Sequence, residues 1–225
     1  MGEMVRYPAN GHATSGYLAL PEDRRGPGVL IIQEWWGLVD HIKDVADRFA
    51  RAGFVALAPD FYDGQTTKSP DAAGKLFMAL NIDRAAADLR GSATFLLARP
   101  EVSSKRIGAL GFCMGGQLAL YAGTEFPGQF GAVVDFYGIH PKVPVDPARL
   151  RVPVIGHFGT RDTSVPVASV EALATAVGKA GGTFETHFYD ADHAFFNDTR
   201  SPVYNPDAAA LAWTRTVAFL ALHLT

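Results

Sequence analysis

The sequence of 225 residues predicts an α/β fold in which a mostly parallel sheet carries helices on both faces. Short apolar runs alternate along the chain with stretches whose apolar residues recur at every third and fourth position. Hydrophobic residues make up 48 % of the chain and charged residues 19 %, which is enough apolar surface to fill a core. No repeat or break in composition marks a linker, so residues 1–225 are predicted to form a single domain.

Six strands are predicted from the apolar runs. In chain order they lie at 28–33, 54–58, 106–112, 131–136, 152–158 and 183–189. The first is a continuous run of apolar, partly β-branched residues, as expected of a strand that helices cover on both faces. The sixth alternates between apolar and polar residues, which is typical of a half-buried strand.

Helices are predicted between these strands. They lie at about 42–50, 72–80, 84–98, 115–123, 167–179 and 207–224. Each repeats apolar residues at helical spacing, and Gly53 ends the first of them as a C-terminal glycine does. Right-handed crossovers between parallel strands place the strand C-termini along one edge of the sheet. Functional residues are therefore expected just after each apolar run.

The composition excludes several classes of protein. The net charge is −3 and no basic cluster stands alone, so a nucleic-acid surface is not expected. No apolar stretch approaches the roughly 20 residues that span a bilayer, and the N-terminus has no signal-like stretch, so a cytoplasmic protein without membrane contact is predicted. With a single cysteine, Cys113, neither an internal disulfide nor a cysteine-based zinc cluster can form.

The surroundings of Cys113 indicate a nucleophile. Gly111 and Gly115 flank it at a spacing of two residues, between the third strand and a helix. Such a strand-to-helix turn strains the nucleophile's backbone, leaves no room for side chains two residues away, and exposes the sulfur at a helix N-terminus. The glycine spacing does not fit a dinucleotide fingerprint, and a phosphate loop would need a Gly-Lys-Ser/Thr that is absent.

An acid and a histidine follow in the order that a nucleophile elbow requires. Asp162 comes after the fifth strand and His193 after the sixth. Asp190 and Asp192 are rival acids, and Asp192 is too close to His193 in sequence to bridge to its imidazole well. The histidines at 157 and 187 fall inside predicted strands and are interpreted as packing or surface residues. The predicted catalytic set is therefore Cys113, Asp162 and His193.

The end of the first strand contributes a second group of residues. In this architecture a backbone N–H from that loop and the N–H after the nucleophile form an oxyanion hole, which selects Trp35 and Met114. Glu34 is a carboxylate at the end of an apolar strand. It is interpreted either as a helix cap or salt-bridge partner, or as a carboxylate that faces the thiol.

These pieces together resemble the dienelactone hydrolase family of α/β-hydrolases. The matching segments span roughly residues 15–222 and are QEWWG, APDFY, GFCMGG, FYG, FGTRDTSVP, the acid-rich turn before His193, and Tyr204 with the helix after it. The resemblance implies an α/β-hydrolase fold and a triad of Cys113, His193 and Asp162. It also implies that Glu34 holds the resting thiol until substrate binds and that Tyr137 lies in the substrate pocket.

The sequence departs from the family at its anion site. Family members that act on carboxylated dienelactones bind the substrate anion with two arginines. Here the first region reads Lys68-Ser69-Pro70, and Asn197 stands four residues after the histidine. Arg84 and Arg200 lie nearby but not at the expected positions. Because the pairs Trp35-Trp36 and Phe195-Phe196 are large and apolar, a more hydrophobic acyl or alcohol pocket is predicted, with Trp36, Tyr137, Phe195 and Asn197 as its lining.

The predicted function is hydrolysis of a small ester or lactone through an acyl-cysteine, with no metal or organic cofactor. The alternative is a ligand-binding or sensing protein of this fold with little turnover. A redox role for Cys113 would need an external thiol, because no second cysteine is present. The expected partner is a small-molecule substrate, and the protein is expected to be a monomer or small homo-oligomer.

Overall fold

The computed structural model describes residues 2–9, 11–141 and 143–224, and in this part of the chain eight strands form one sheet. The strands are β1 (Glu3–Ala9), β2 (His12–Ala19), β3 (Gly28–Ile32), β4 (Val55–Pro59), β5 (Ile107–Phe112), β6 (Phe130–Phe136), β7 (Val154–Gly159) and β8 (Phe184–Tyr189). The helices are α1 (Asp40–Arg51), α2 (Pro70–Ala79), α3 (Ile82–Leu97), α4 (Met114–Glu125), α5 (Val167–Lys179) and α6 (Pro206–His223).

The strand order across the sheet is β1-β2-β4-β3-β5-β6-β7-β8. All pairings from β4 to β8 are parallel, whereas β2 pairs antiparallel with both β1 and β4. The predicted mostly parallel sheet is therefore confirmed. Strands β1 and β2 were not predicted, because β1 is an edge strand with alternately exposed residues and a proline at position 8, which weakens its strand pattern.

The core lies in two layers, one on each face of the sheet. Along β3, Val29 and Ile31 pack against α1 and α6, while Leu30 and Ile32 pack on the side of α3 and α4. Every residue of β3 is buried. Burial on both faces explains why the central strands appear in the sequence as continuous apolar runs rather than alternating ones.

The observed helices match the predicted ones within two residues at every end. Helix α2, like α1 and α3, begins two residues earlier than predicted, at Pro70 rather than near residue 72. Ser69 is its N-cap, and the hydroxyl oxygen accepts a hydrogen bond from the N–H of Ala72. Proline is favoured at the first helical position because that N–H has no helical acceptor, so Pro70 starts the helix instead of belonging to the loop before it.

The parallel strands direct their C-termini to one edge, and the segments after β3, β5, β6, β7 and β8 meet there. These segments carry the residues that the sequence singled out. Among the helices that the structure describes, none combines the length and the apolar character needed to cross a bilayer.

Candidate active site

Cys113 lies on a sharp turn between β5 and α4, as the glycine spacing predicts. Its backbone has φ 54° and ψ −118°, in the left-handed region that a residue with a Cβ rarely adopts. A Cβ on Gly111 would overlap the carbonyl of Gly115, and a Cβ on Gly115 would overlap that of Ile32. The N–H of Cys113 donates to the carbonyl of Phe136 at 2.9 Å, which anchors the turn to β6. Neighbouring segments of the same chain thus hold the strained turn in place.

His193 and Asp162 meet beside this turn. The Nδ1 of His193 is 2.6 Å from Oδ2 of Asp162, whose side chain is fully buried. The other carboxylate oxygen, Oδ1, accepts hydrogen bonds from the N–H groups of Ser164 at 2.7 Å and Val165 at 3.0 Å. Both oxygens of Asp162 therefore have hydrogen-bond partners, and the carboxylate holds the imidazole with Nδ1 directed at Oδ2.

The imidazole of His193 is hydrogen-bonded on two sides. Burial alone would lower its pKa, but the hydrogen bonds to Asp162 and to the side chain of Cys113, together with their charges, raise the pKa to about 10. The raised pKa makes the imidazole a better base toward the sulfur atom beside it.

The rival acids do not reach the histidine. Asp190 and Asp192 both pair with Arg161, and their side chains are 86 % and 46 % exposed. Of the histidines inside strands, His157 is fully buried between the hydroxyls of Tyr189 and Thr216, and His187 pairs with Glu185. The interpretation of both histidines as packing or surface residues is therefore confirmed.

A cavity of about 360 Å³ opens in front of the sulfur. Its wall includes Cys113, His193, and the four predicted residues Trp35, Trp36, Met114 and Tyr137. Met114 is the first residue of α4, where a helix leaves the N–H without an internal acceptor. The two residues proposed for the oxyanion hole thus lie on the same cavity as the nucleophile.

Two of the residues predicted for the pocket lie elsewhere. Phe195 is fully buried in the core, with its ring 5.4 Å from that of Tyr137 and 5.1 Å from that of Tyr189. The prediction that Phe195 lines the pocket is wrong, because Ala194 has φ 64° and the chain turns there, so that the next side chain points into the core. Asn197 is also buried. It contacts Glu34 and borders a neighbouring cavity rather than the one before Cys113.

Glu34 lies in the wall of the cavity with only 1 % of its surface exposed. Its Oε2 accepts a hydrogen bond from Nδ2 of Asn197 at 2.9 Å, while its Oε1 is buried and has no hydrogen-bond partner in the structure. Burial raises the pKa of Glu34, and the bond from Asn197 and the charges of His193 and Arg200 act against that rise. A hydrogen bond with the Cys113 side chain contributes to the raised pKa of His193, and among the described residues no hydrogen bond joins Cys113 to Glu34.

The structure separates the two arginines. Arg84 is about half exposed and pairs with Asp63 at 2.6 Å, away from the cavity. Arg200 lines the cavity, and its guanidinium lies 5.2 Å from the centre of the Trp36 ring. The sequence spacing placed neither arginine at the site, and for Arg200 the structure corrects that view. Lys68 borders the neighbouring cavity.

Several residues of the cavity were not singled out in the sequence. They are Phe77, Gly138, Ile139, His140, Ser164, Val165 and Ala194. The segments after β6 and β7 follow strand ends, so their contribution could have been expected from topology. Phe77 comes from α2, and no pattern in the sequence indicates which side of that helix faces the site.

Comparisons with known proteins agree with this architecture. A model described as "Dienelactone hydrolase family" matches residues 14–224. "Protein usf" of Aquifex pyrophilus is 40 % identical to this chain over 232 residues, and the alignment covers 100 % of both proteins. "Putative carboxymethylenebutenolidase" of Aquifex aeolicus is 36 % identical over 231 residues with the same coverage. The crystal structure of "Putative Dienelactone Hydrolase" from Klebsiella pneumoniae has a TM-score of 0.88 at 29 % identity, with 98 % of each chain covered.

Proposed function

The chain belongs to the dienelactone hydrolase family of α/β-hydrolases, and on that premise we propose that it hydrolyses a small ester or lactone with Cys113 as nucleophile. The observation that carries the proposal is the continuous contact from buried carboxylate to imidazole to sulfur, at a strained turn that opens on a cavity. Nucleophile, base and orienting acid in this relation form the arrangement of covalent acyl-transfer catalysis.

The first half-reaction forms an acyl-enzyme. His193 takes the thiol proton, Asp162 holds the imidazole in the tautomer that allows it, and the sulfur attacks the substrate carbonyl. The N–H groups of Trp35 and Met114 stabilise the oxyanion of the tetrahedral intermediate. As the intermediate collapses, His193 returns its proton to the leaving alkoxide oxygen, and the acyl group remains on sulfur.

The second half-reaction restores the enzyme. His193 removes a proton from a water molecule as the water oxygen attacks the thioester carbonyl. The oxyanion of this second tetrahedral intermediate is stabilised by the same two N–H groups. Collapse expels the thiolate of Cys113 and releases the carboxylic acid. The sulfur lies at the N-terminus of α4, where the helix dipole favours a negative charge both on sulfur and on the oxyanion.

A thiol nucleophile also limits the substrate class. In a tetrahedral intermediate the thiolate is a better leaving group than an amine, so an amide would return to starting material more often than it would acylate the enzyme. The alkoxide of an ester or lactone competes better than an amine with the thiolate for expulsion from the tetrahedral intermediate, particularly when the ester is activated. The chemistry of the site therefore favours esters and lactones over amides.

The proposal is tested by following p-nitrophenyl esters and lactones under steady-state conditions and by trapping the intermediate. Rapid acid quenching is expected to leave one acyl group per chain on the peptide that contains Cys113, with continued turnover afterwards. A ligand-binding or sensing protein would instead release one equivalent of alcohol and then stop. Absence of acylated Cys113 together with steady turnover would contradict the cysteine mechanism.

Arg200 is expected to select substrates that carry a carboxylate, since it is a cation in the wall of the cavity. Replacing it by glutamine removes one charge-assisted hydrogen bond, which is worth about 1.5–3 kcal/mol. The kcat/KM for a carboxylated ester should then fall by roughly 10- to 100-fold, while that of the matched neutral ester should change little. Arg84→Gln is the control. An equal loss for both esters would show that Arg200 does not recognise the anion.

A further inference from the structure

Glu34 lies in the wall of the cavity before Cys113 and is hydrogen-bonded to Asn197, which borders the neighbouring cavity. They are 163 residues apart in sequence, and both are buried, with 1 % and 2 % of their surfaces exposed. Within the described part of the chain, no arginine, lysine or histidine forms a salt bridge with Glu34. Among the described residues, the carboxyl group of Glu34 thus has one hydrogen-bond partner, the neutral amide of Asn197.

The orientation of the amide is fixed by its other contacts. The Oδ1 of Asn197 accepts hydrogen bonds from the backbone N–H of Thr199 at 3.1 Å and from its hydroxyl at 2.6 Å. A backbone N–H can only donate, so the oxygen of Asn197 must face Thr199 and the NH₂ group must face Glu34. The Oε2 of Glu34 is therefore an acceptor, and any proton on the carboxyl group belongs to Oε1.

An ionised carboxylate is poorly supported at this position. One of its oxygens would be buried without a donor, and its compensation would be the bond from Asn197 and the charges of His193 and Arg200, neither of which forms a described ion pair with it. Leaving a buried charge without a counterion is much more costly than burying a neutral acid. The hydroxyl of Tyr137 lies in the same wall and is also buried without a partner. Two polar groups in one cavity wall thus lack a partner.

We propose, on the basis of the hydrolase function above, that Glu34 acts as a neutral carboxylic acid, which Asn197 positions so that Oε1 donates a hydrogen bond to an acceptor oxygen of the bound substrate. The proton stays on Glu34 throughout, and no bond to it is broken. A substrate oxygen in the cavity supplies the acceptor that both Oε1 and the Tyr137 hydroxyl lack. Glu34 then does not compete with His193 for the thiol proton, and Asn197 is a positioning residue.

The groups around Glu34 set how its charge depends on pH. Burial raises its pKa, while the amide of Asn197 and the positive charges of His193 and Arg200 lower it; the net direction is upward. Cys113 and Tyr137 share the same cavity wall. Since the neutral form is the donor, activity should be lost as pH rises through the pKa of Glu34, and an ionised Glu34 would add a negative charge near the thiolate.

The decisive variants are Glu34→Gln and Glu34→Leu. In Glu34→Gln the side-chain oxygen can accept from Asn197 while the NH₂ group takes the place of the Oε1 donor. Glu34→Leu has no donor. Because one hydrogen bond to a buried group is worth about 1–3 kcal/mol, kcat/KM of Glu34→Leu should be roughly 10- to 100-fold below that of Glu34→Gln. The alkaline loss that belongs to Glu34 should be absent in Glu34→Gln.

Two results would overturn the proposal. One is a Glu34→Gln enzyme as deficient as Glu34→Leu at every pH, which would mean that the carboxylate form is needed. The other is an infrared difference spectrum between wild type and Glu34→Gln that shows a carboxylate band at neutral pH instead of the carbonyl band of a protonated acid. The spectrum requires no turnover, so it judges the state of Glu34 even if the hydrolase function fails.

Asn197→Lys provides a third measurement. A cation beside Oε2 would favour the ionised form of Glu34, so the alkaline loss of activity should move to lower pH than in the wild type. Asn197→Leu separates this effect from loss of positioning, because it removes the hydrogen bond without adding a charge. An unchanged pH profile in Asn197→Lys, with the variant folded by circular dichroism, would also count against the proposal.

Discussion

Replacing Cys113 by alanine is expected to abolish turnover of p-nitrophenyl esters while the protein remains folded. The sulfur lies in the cavity wall beside His193, where it can attack a carbonyl and exchange a proton with the imidazole. Removing the nucleophile of a comparable triad costs roughly a millionfold in kcat, with the rest of the site supplying the residual rate. Initial rates at saturating ester, compared with the uncatalysed rate in the same buffer, measure the effect.

The alanine variant should keep its fold because alanine has the same Cβ and therefore meets the same backbone strain at φ 54°. Thermal unfolding and circular dichroism check this point. Cys113→Ser is the matched comparison. It retains a nucleophilic atom but replaces the thiol by a hydroxyl that ionises far less readily, so its activity should lie between those of wild type and Cys113→Ala. Undiminished turnover in Cys113→Ala would rule out the triad.

The central sheet was predictable because its strands are buried on both faces. Burial on both faces produces continuous apolar runs, and β3, with all five residues buried, is the clearest case. The N-terminal hairpin of β1 and β2 was not predictable in the same way. Its strands are antiparallel and partly exposed, and Pro8 interrupts the pattern of β1. An edge strand depends more on its neighbour than on its own sequence.

The three residues proposed for catalysis could be selected from the sequence because each follows a strand whose end lies at the same edge of the sheet. Cys113 follows β5, Asp162 follows β7 and His193 follows β8. Order along the chain and residue type therefore sufficed to select them. The choice of Asp162 over its rivals also had a physical basis, since Asp190 and Asp192 are committed to Arg161.

The pocket was less predictable because it depends on where single side chains point. Phe195 follows a residue at positive φ, which turns it into the core, and no sequence pattern marks that turn. Arg200 reaches the cavity from seven residues beyond His193, a spacing that gives no indication of direction. The contact between Glu34 and Asn197 joins distant segments, and only the folded structure shows that a neutral amide lies against the buried carboxyl group.

Asp162→Asn is expected to reduce kcat by roughly 10³- to 10⁴-fold with the structure intact. The N–H groups of Ser164 and Val165 both donate to Oδ1, so the side-chain oxygen of the new asparagine must stay there. Its NH₂ group then faces Nδ1 of His193 and donates to it. The imidazole would carry its proton on Nε2, the nitrogen that must accept the thiol proton, and the base would be blocked. Loss of the carboxylate would also lower the pKa of His193, because Asp162 contributes to raising it.

The neighbouring aspartates provide the control for this effect. Asp190→Asn and Asp192→Asn each neutralise an exposed carboxylate that pairs with Arg161 on the surface, and kcat should change less than twofold. If the asparagine at 162 acts by fixing the wrong tautomer, Asp162→Ala should retain more activity than Asp162→Asn, since a water molecule can occupy the space and leave Nε2 free to accept. A loss in Asp192→Asn as large as that in Asp162→Asn would instead assign the orienting acid to the turn before His193.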